Sequence, residues 1–225
     1  MCRFKSGIIL KDRVFIPDYD SHTDMLEELK IADTEDNAKR LFVRAELVPP
    51  DDDVFTPVSS WKYHVDQDIL PDWYVTEVDE MRMREAVTEW AKEHIHIGEK
   101  IERIDSGTHW IKDCKVGNIC GSAEVRRIYG SAEVGYIYDS AKVRCIYGSA
   151  KVGNIYDSAK VRCIYGSAKV GYIYGSATIE IFKYSIWKHI KSVGIKDKAI
   201  LIDRYNNKIY HSGAFETVIV GGKKK

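Results

Sequence analysis

The second half of the chain is built from one nine-residue phrase, and that phrase constrains the fold more than any other feature. Isoleucine recurs at 119, 128, 137, 146, 155, 164 and 173, alanine at 123, 132, 141, 150, 159, 168 and 177, and valine at 125, 134, 143, 152, 161 and 170. With isoleucine as place 1, the unit reads Ile-Tyr-Gly/Asp-Ser-Ala-Glu/Lys-Val-Gly/Arg-x. Places 1, 3, 5 and 7 are apolar or small, and the places between them are mostly polar. This period of two is that of a strand with one buried face. Nine residues make two and a half helical turns, so no helix face would repeat.

Nine is odd, so the chain must lose its in-out parity once per copy. Places 8 and 9 are the expected bend, because Gly117, Gly135, Gly153 and Gly171 stand at place 8. Arg126, Arg144 and Arg162 hold place 8 in the intervening copies, which makes the true period 18. The expectation is a flattened parallel β-solenoid with two nonapeptides per 18-residue coil, coils about 4.8 Å apart, glycine at one corner and arginine at the other. A three-sided solenoid of hexapeptides would close a coil of the same length, but the motif repeats at nine and not at six. Trp110 to Val116 and Phe182 to Lys188 read as degraded end copies, as a stacked array requires. Ala199 to Asp203 and Lys208 to His211 read as a hairpin around Tyr205 to Asn207. Together with a strand at Phe215 to Val220, it forms a C-terminal β cap over the open edge.

The first hundred residues follow other rules and read as a small α+β domain. Gly7 to Leu10 and Arg13 to Pro17 have hairpin spacing, Ser21 with Asp24 resembles a capping box, and Leu41 to Val48 and Trp61 to Val65 read as strands. A helix from about Thr76 to Ile95 is expected to bury Val78, Met81, Ala86, Trp90 and Ala91. Ile97 to Gly107 reads as the join. The expected domains are thus 1–108 (α+β), 109–190 (solenoid) and 191–225 (cap and basic tail).

The chain is neutral overall, yet residues 1–100 hold 13 Lys/Arg against 23 Asp/Glu, and residues 101–225 hold 21 against 11. Two surfaces of opposite charge imply different partners. No apolar run approaches the roughly 18 residues of a membrane span, and the start carries no signal-like segment, so the expectation is a cytoplasmic protein with no membrane partner. Five cysteines without a CxxC pair indicate free thiols, with Cys145 and Cys163 one coil apart and able to touch. No cofactor or metal is implied: His94 and His96 lack a third ligand. The period matches that of calcium-binding repeat rolls, but only Asp139 and Asp157 appear where those rolls carry their turn aspartates, and here they count as strand positions.

Three groups of residues could make contacts. Tyr129, Tyr138, Tyr147, Tyr156, Tyr165 and Tyr174 fall into two columns. Lys142 and Lys160 stand on one sheet and Lys151 and Lys169 on the other, while Arg126, Arg144 and Arg162 line one corner. Aromatic rings among cations suit a nucleic-acid backbone or an acidic protein surface. In the first domain, Asp51, Asp52, Asp53, Asp66 and Asp68 form an acidic surface that could imitate spaced phosphates. Cys2 would become an N-terminal nucleophile if Met1 were removed.

The run MCRFKSGIIL, with FVRAELVPP at 42–50 and Trp61 followed by VDQDILPDWY at 65–74, resembles the N-terminal region of an uncharacterised family of phage and prophage proteins that carry short β-repeats. The likeness spans roughly positions 1–75 and the existence of the array. It implies a mobile-element origin and a host-cell cytoplasm, and assigns no catalytic residue. The functional expectation is a non-enzymatic interaction protein, a phage effector or inhibitor of a host protein. Nucleic-acid binding along the Tyr/Lys/Arg face and catalysis by Cys2 are the alternatives, and self-association is compatible with all three.

Overall fold

The computed structural model describes residues 4–181, 194–204 and 208–212, in two units that divide between Ile95 and His96. Cys2 and the segments Phe182–Lys188, Tyr205–Asn207 and Phe215–Val220 lie outside these residues.

In the first unit, strands β1 (Lys5–Leu10), β2 (Val14–Phe15), β3 (Phe42–Val48) and β4 (Lys62–Val65) form an antiparallel sheet of order β2-β1-β3-β4. Helix α1 (His22–Glu28) is started by Ser21, whose hydroxyl accepts from the Asp24 amide at 3.3 Å. The short α2 (Glu35–Ala38) is capped in the same way by Thr34. Met25, Leu26 and Ala38 pack against Ile8 and Phe42 on one sheet face. Gly7 and Lys5, which point the other way, meet Met83 and Trp90 of α3 (Thr76–His94).

That helix buries Asp79, Met83, Val87, Trp90 and His94, and leaves Val78 and Met81 exposed. The expected stripe is therefore rotated, because polar groups hold two buried positions. The Asp79 carboxylate accepts from the Val75 amide at 2.9 Å and from Arg82 at 2.6 Å, which satisfies it at the helix start. His94 pairs with Asp18 at 3.1 Å and stacks on Trp90 at 4.6 Å.

The second unit is a parallel β-solenoid. Strands β5 (Ile95–Ile97), β6 (Lys100–Ile104), β7 (Thr108–Lys112), β8 (Lys115–Ile119), β9 (Glu124–Tyr129), β10 (Glu133–Ile137), β11 (Lys142–Ile146), β12 (Lys151–Ile155), β13 (Lys160–Ile164), β14 (Lys169–Ile173), β15 (Thr178–Ile181), β16 (Gly194–Ile195), β17 (Ile200–Asp203) and β18 (Lys208–His211) alternate between two sheets. Odd-numbered strands to β17, plus β18, make the sheet of eight, and the even-numbered β6 to β16 make the sheet of six. Each strand of the array lies in register on the strand two copies further along, as in Val134↔Val152 and Ile146↔Ile164. The Ile, Ala and Val ladders form one continuous core.

The supposed join at 97–107 already belongs to the ladder, since Ile101 and Ile104 pair with Val116 and Ile119 across a first coil that is shorter than the rest. At the other end β17 is still a coil strand, parallel to β15 with Ile200 against Thr178 after a longer excursion, and β18 folds back antiparallel to it. The hairpin cap thus begins inside the solenoid.

Place 7 and place 1 of the next copy are both buried although three residues apart, as Val125 and Ile128 are, and the ladder pairing omits place 8. Parity changes there, as the odd repeat demands. The tight reversal, however, occupies places 2 to 5. Place 3 is left-handed in every copy, with φ of 74° at Gly148 and 56° at Asp139, which explains why only Gly and Asp stand there. Asp139 and Asp157 are therefore turn residues and not strand residues. Their carboxylates reach along the stack: Asp139 accepts from the Gly121 amide at 3.0 Å. Glycine and arginine at place 8 likewise mark mid-strand positions on the two sheets, not corners.

The glycines answer a close approach. A Cβ on Gly153 would lie 2.5 Å from the carbonyl oxygen of Gly135, and Gly135 and Gly171 meet the same obstacle one coil down. Gly153→Ala should cost about 1–3 kcal/mol and lower the melting temperature by roughly 3–10 °C in scanning fluorimetry. Arg144→Ala, at the same place on the other sheet, should change it by less than about 2 °C; equal melting temperatures for the two variants would refute the close approach.

Candidate functional site

The eight-stranded sheet presents two outward columns on either side of the buried Val125, Val143 and Val161. Place 6 supplies Glu124, Lys142, Lys160 and Thr178, and place 8 supplies Arg126, Arg144, Arg162 and Glu180. Between them runs a groove of about 820 Å³. Its five cations outnumber its two carboxylates, and both carboxylates are engaged. Glu124 accepts from Lys142 at 2.8 Å and faces Arg126 at 3.8 Å, while Glu180 pairs with Arg204 at 3.0 Å. The Lys142 ammonium holds the Glu124 carboxyl below the usual carboxylate range. Among the described residues, Arg144, Lys160 and Arg162 have no carboxylate within ion-pair distance, so the middle of the groove is its most positive part.

The tyrosines do not share this groove. They stand at place 2, where the turns begin, and form the two expected columns. Tyr138, Tyr156 and Tyr174 stack with ring centres 5.0 and 4.9 Å apart and planes within 4°, and Tyr129 and Tyr147 lie 4.6 Å apart. All are half-buried. Lys151 and Lys169 are on the six-stranded sheet, where Lys151 pairs with Glu133 at 2.9 Å. The tyrosines, lysines and arginines expected to act together thus occupy separate surfaces: the groove, the six-stranded sheet and the two columns of rings at the turns. Sequence reading also passed over Tyr136 and Tyr172, the most exposed tyrosines of the array, beside the glycine strip of the six-stranded sheet. Their signal was present at place 9, where Asn118, Tyr136, Asn154 and Tyr172 alternate.

The acidic set of the first unit is also divided. The Asp53 carboxylate accepts from the Phe55 amide at 3.1 Å as part of a turn, and Asp66 faces His22 at 3.3 Å. Asp51, Asp52 and Asp68 are exposed, the first two with left-handed backbone. His94 and His96 lie in different units, and His96 contacts His109 at 3.1 Å and Glu99 at 3.2 Å. The Cys145 and Cys163 sulfurs are 2.8 Å apart in adjacent strands, and burial raises the Cys145 thiol to about 12.

No family model matches the chain, and no curated protein or solved structure matches it. No helix among the described residues is long and apolar enough to cross a membrane.

Stacking leaves a pH signature. Burial raises the Tyr147 and Tyr156 hydroxyls, and a hydrogen bond with Cys163 together with burial raises Tyr165 to about 12. An unfolded phenol titrates near 10. Above that pH the folded state holds more protons than the unfolded one, so stability is complete below pH 10 and falls as pH climbs towards 12. Melting temperatures followed by circular dichroism should decline steadily from pH 10 to 11.5, and Tyr147→Phe with Tyr165→Phe should flatten the decline.

Proposed function

We propose that this chain is a non-enzymatic interaction protein that docks an acidic surface of a partner protein into the groove of Arg126, Arg144, Arg162, Lys142 and Lys160. The resemblance of its N-terminal region to phage proteins makes a host protein the expected partner, met in the host cytoplasm, and an effector or inhibitor the expected role. The observation that carries the reading is the uncompensated charge at the centre of a groove whose walls are fixed by the ladder. Like charges in adjacent rungs repel one another, and a partner's carboxylates relieve that repulsion.

Nucleic acid is the second reading, because the same five cations suit phosphates. It is the weaker of the two. Non-specific single-strand binding uses aromatic faces as platforms for bases, and here the rings of Tyr138, Tyr156 and Tyr174 cover one another's faces and lie outside the groove.

The test compares wild type with the triple variant Arg126→Glu, Arg144→Glu, Arg162→Glu, and with Lys151→Glu, Lys169→Glu on the opposite sheet. A specific protein should be recovered from host lysate at near-stoichiometric yield by wild type and the lysine variant, and lost by the triple variant. Retention by the triple variant would remove the groove from the account. Oligonucleotide binding tighter than about 1 µM at physiological salt, abolished in the triple variant, would decide for the second reading.

A further inference from the structure

The first unit gathers one histidine and two carboxylates from distant parts of the sequence. His22 is the first residue of α1, Glu46 lies in β3 opposite Ser6 of β1, and Asp66 follows β4. One ligand atom from each lies within 4.8 Å of the other two. His22 and Glu46 are 5% and 2% exposed, whereas the Asp66 side chain is 48% exposed.

The hydrogen bonding fixes which nitrogen is offered. His22 Nε2 lies 3.3 Å from the Ala45 carbonyl oxygen. That oxygen can only accept, so Nε2 carries a proton, and Nδ1 is the nitrogen left to present a lone pair to a metal. Nδ1 points at Asp66 Oδ2, 3.3 Å away. A lone pair facing a carboxylate at this distance calls for a positive charge between them. A ring proton or a bound cation would provide one. Zinc bonds of about 2.0–2.1 Å at the tetrahedral angle place neighbouring ligand atoms about 3.3–3.4 Å apart, close to the 3.3 Å between Nδ1 and the Asp66 oxygen, and the Glu46 oxygen lies within 4.8 Å of both.

The surroundings match those of metal ligands. The second ring nitrogen of a metal-bound histidine donates to a carbonyl or carboxylate, as Nε2 does to Ala45, and ligating carboxylates are themselves hydrogen-bonded, as Glu46 Oε1 is by the Ser6 hydroxyl at 3.5 Å. On its open side the cluster faces a cleft of about 570 Å³, with Asp20, Thr23 and Arg44 on its walls. His22 and Asp66 themselves line this cleft, so an ion held between them would be reached from solvent.

We propose that His22, Glu46 and Asp66 bind one divalent transition-metal ion of the zinc type. One imidazole and two carboxylates neutralise a divalent charge, and an imidazole ligand disfavours magnesium and calcium.

The experiment uses the full chain carrying Cys145→Ser and Cys163→Ser, which removes the thiol pair as a competing site. After stripping with EDTA, it is titrated with Zn²⁺ against a chromogenic chelator. One equivalent should bind with a dissociation constant below about 1 µM. Asp66→Asn should weaken it about 100-fold or more, and millimolar Mg²⁺ should not displace it. Because Asp66 is half exposed, this variant keeps the fold, which circular dichroism in EDTA checks. The His22→Ala variant should lose binding, and in wild type the His22 Nδ1 resonance should move on zinc addition. Absence of a tight site, or affinity unchanged in Asp66→Asn, would overturn the proposal. So would His22 resonances that report only a bound proton.

Discussion

The structure of the second unit depends on one interaction, the backbone hydrogen bond between coils, which runs through the turns as well as the strands. Tyr147 N donates to Ile128 O at 3.0 Å, Ser149 N to Gly130 O at 2.8 Å and Lys151 N to Ala132 O at 2.8 Å, so the reversal at places 2 to 5 is bonded rung to rung. Two features of the repeat serve this continuity. A left-handed residue at place 3 lets each turn lie flat on the last, and glycine at place 8 of the six-stranded sheet lets backbones approach where the strand changes parity. Every side-chain column follows from this register. Identical residues are forced to within about 4.8 Å of one another, which suits Ile, Val and stacked Tyr and strains Lys and Arg.

The first unit uses a different device, polar pairs in which one member is buried and the other reaches the surface. Lys5 is almost fully buried, donates to Asp20 at 3.0 Å and to the Pro17 carbonyl at 2.6 Å, and lies over Trp90 at 4.5 Å. Burial lowers its pKa against the pull of Asp20. Asp79 with Arg82, and His94 with Asp18, repeat the pattern around α3. Backbone groups share the work, since Lys5 also donates to the Pro17 carbonyl and Arg82 to the Leu10 carbonyl, yet removing one partner still takes a charge-assisted bond from a largely buried group. Such pairs specify how helix and sheet meet, and they account for an acidic domain whose carboxylates are partly structural.

How much of this was legible in the sequence follows from how local each signal is. The repeating coil, its two sheets and its buried ladders were readable because a repeat multiplies one weak period-two signal many times. The position of the turn was not, since period-two counting cannot distinguish a strand residue at place 3 from a left-handed one, although the restriction of place 3 to Gly or Asp carried that information. The short first coil escaped because Ile101 and Ile104 break the count by nine. Val78 and Met81 misled because two buried places on α3 go to polar residues that a count of apolar positions passes over: Asp79, held locally by Val75 and Arg82, and His94, whose partner Asp18 lies elsewhere in the chain. The approach of His22, Glu46 and Asp66 has no spacing signature at all, for it exists only once β1, β3 and β4 are paired and α1 is laid on them.

The geometry of the groove limits what it can hold. Its cations form a grid, about 4.8 Å from rung to rung and about 6.6–6.8 Å across from place 6 to place 8. The ladder prevents that grid from adjusting. Carboxylates three and four residues apart on a helix stand about 5–6 Å from one another, close to the rung spacing, and side chains as long as Lys and Arg absorb the remaining mismatch. An acidic helix laid along the stack would meet Arg126, Arg144 and Arg162 in succession. Its extent along the stack would be limited by Glu124 and Glu180, which stand at the two ends of the groove and repel a negative charge that runs past them.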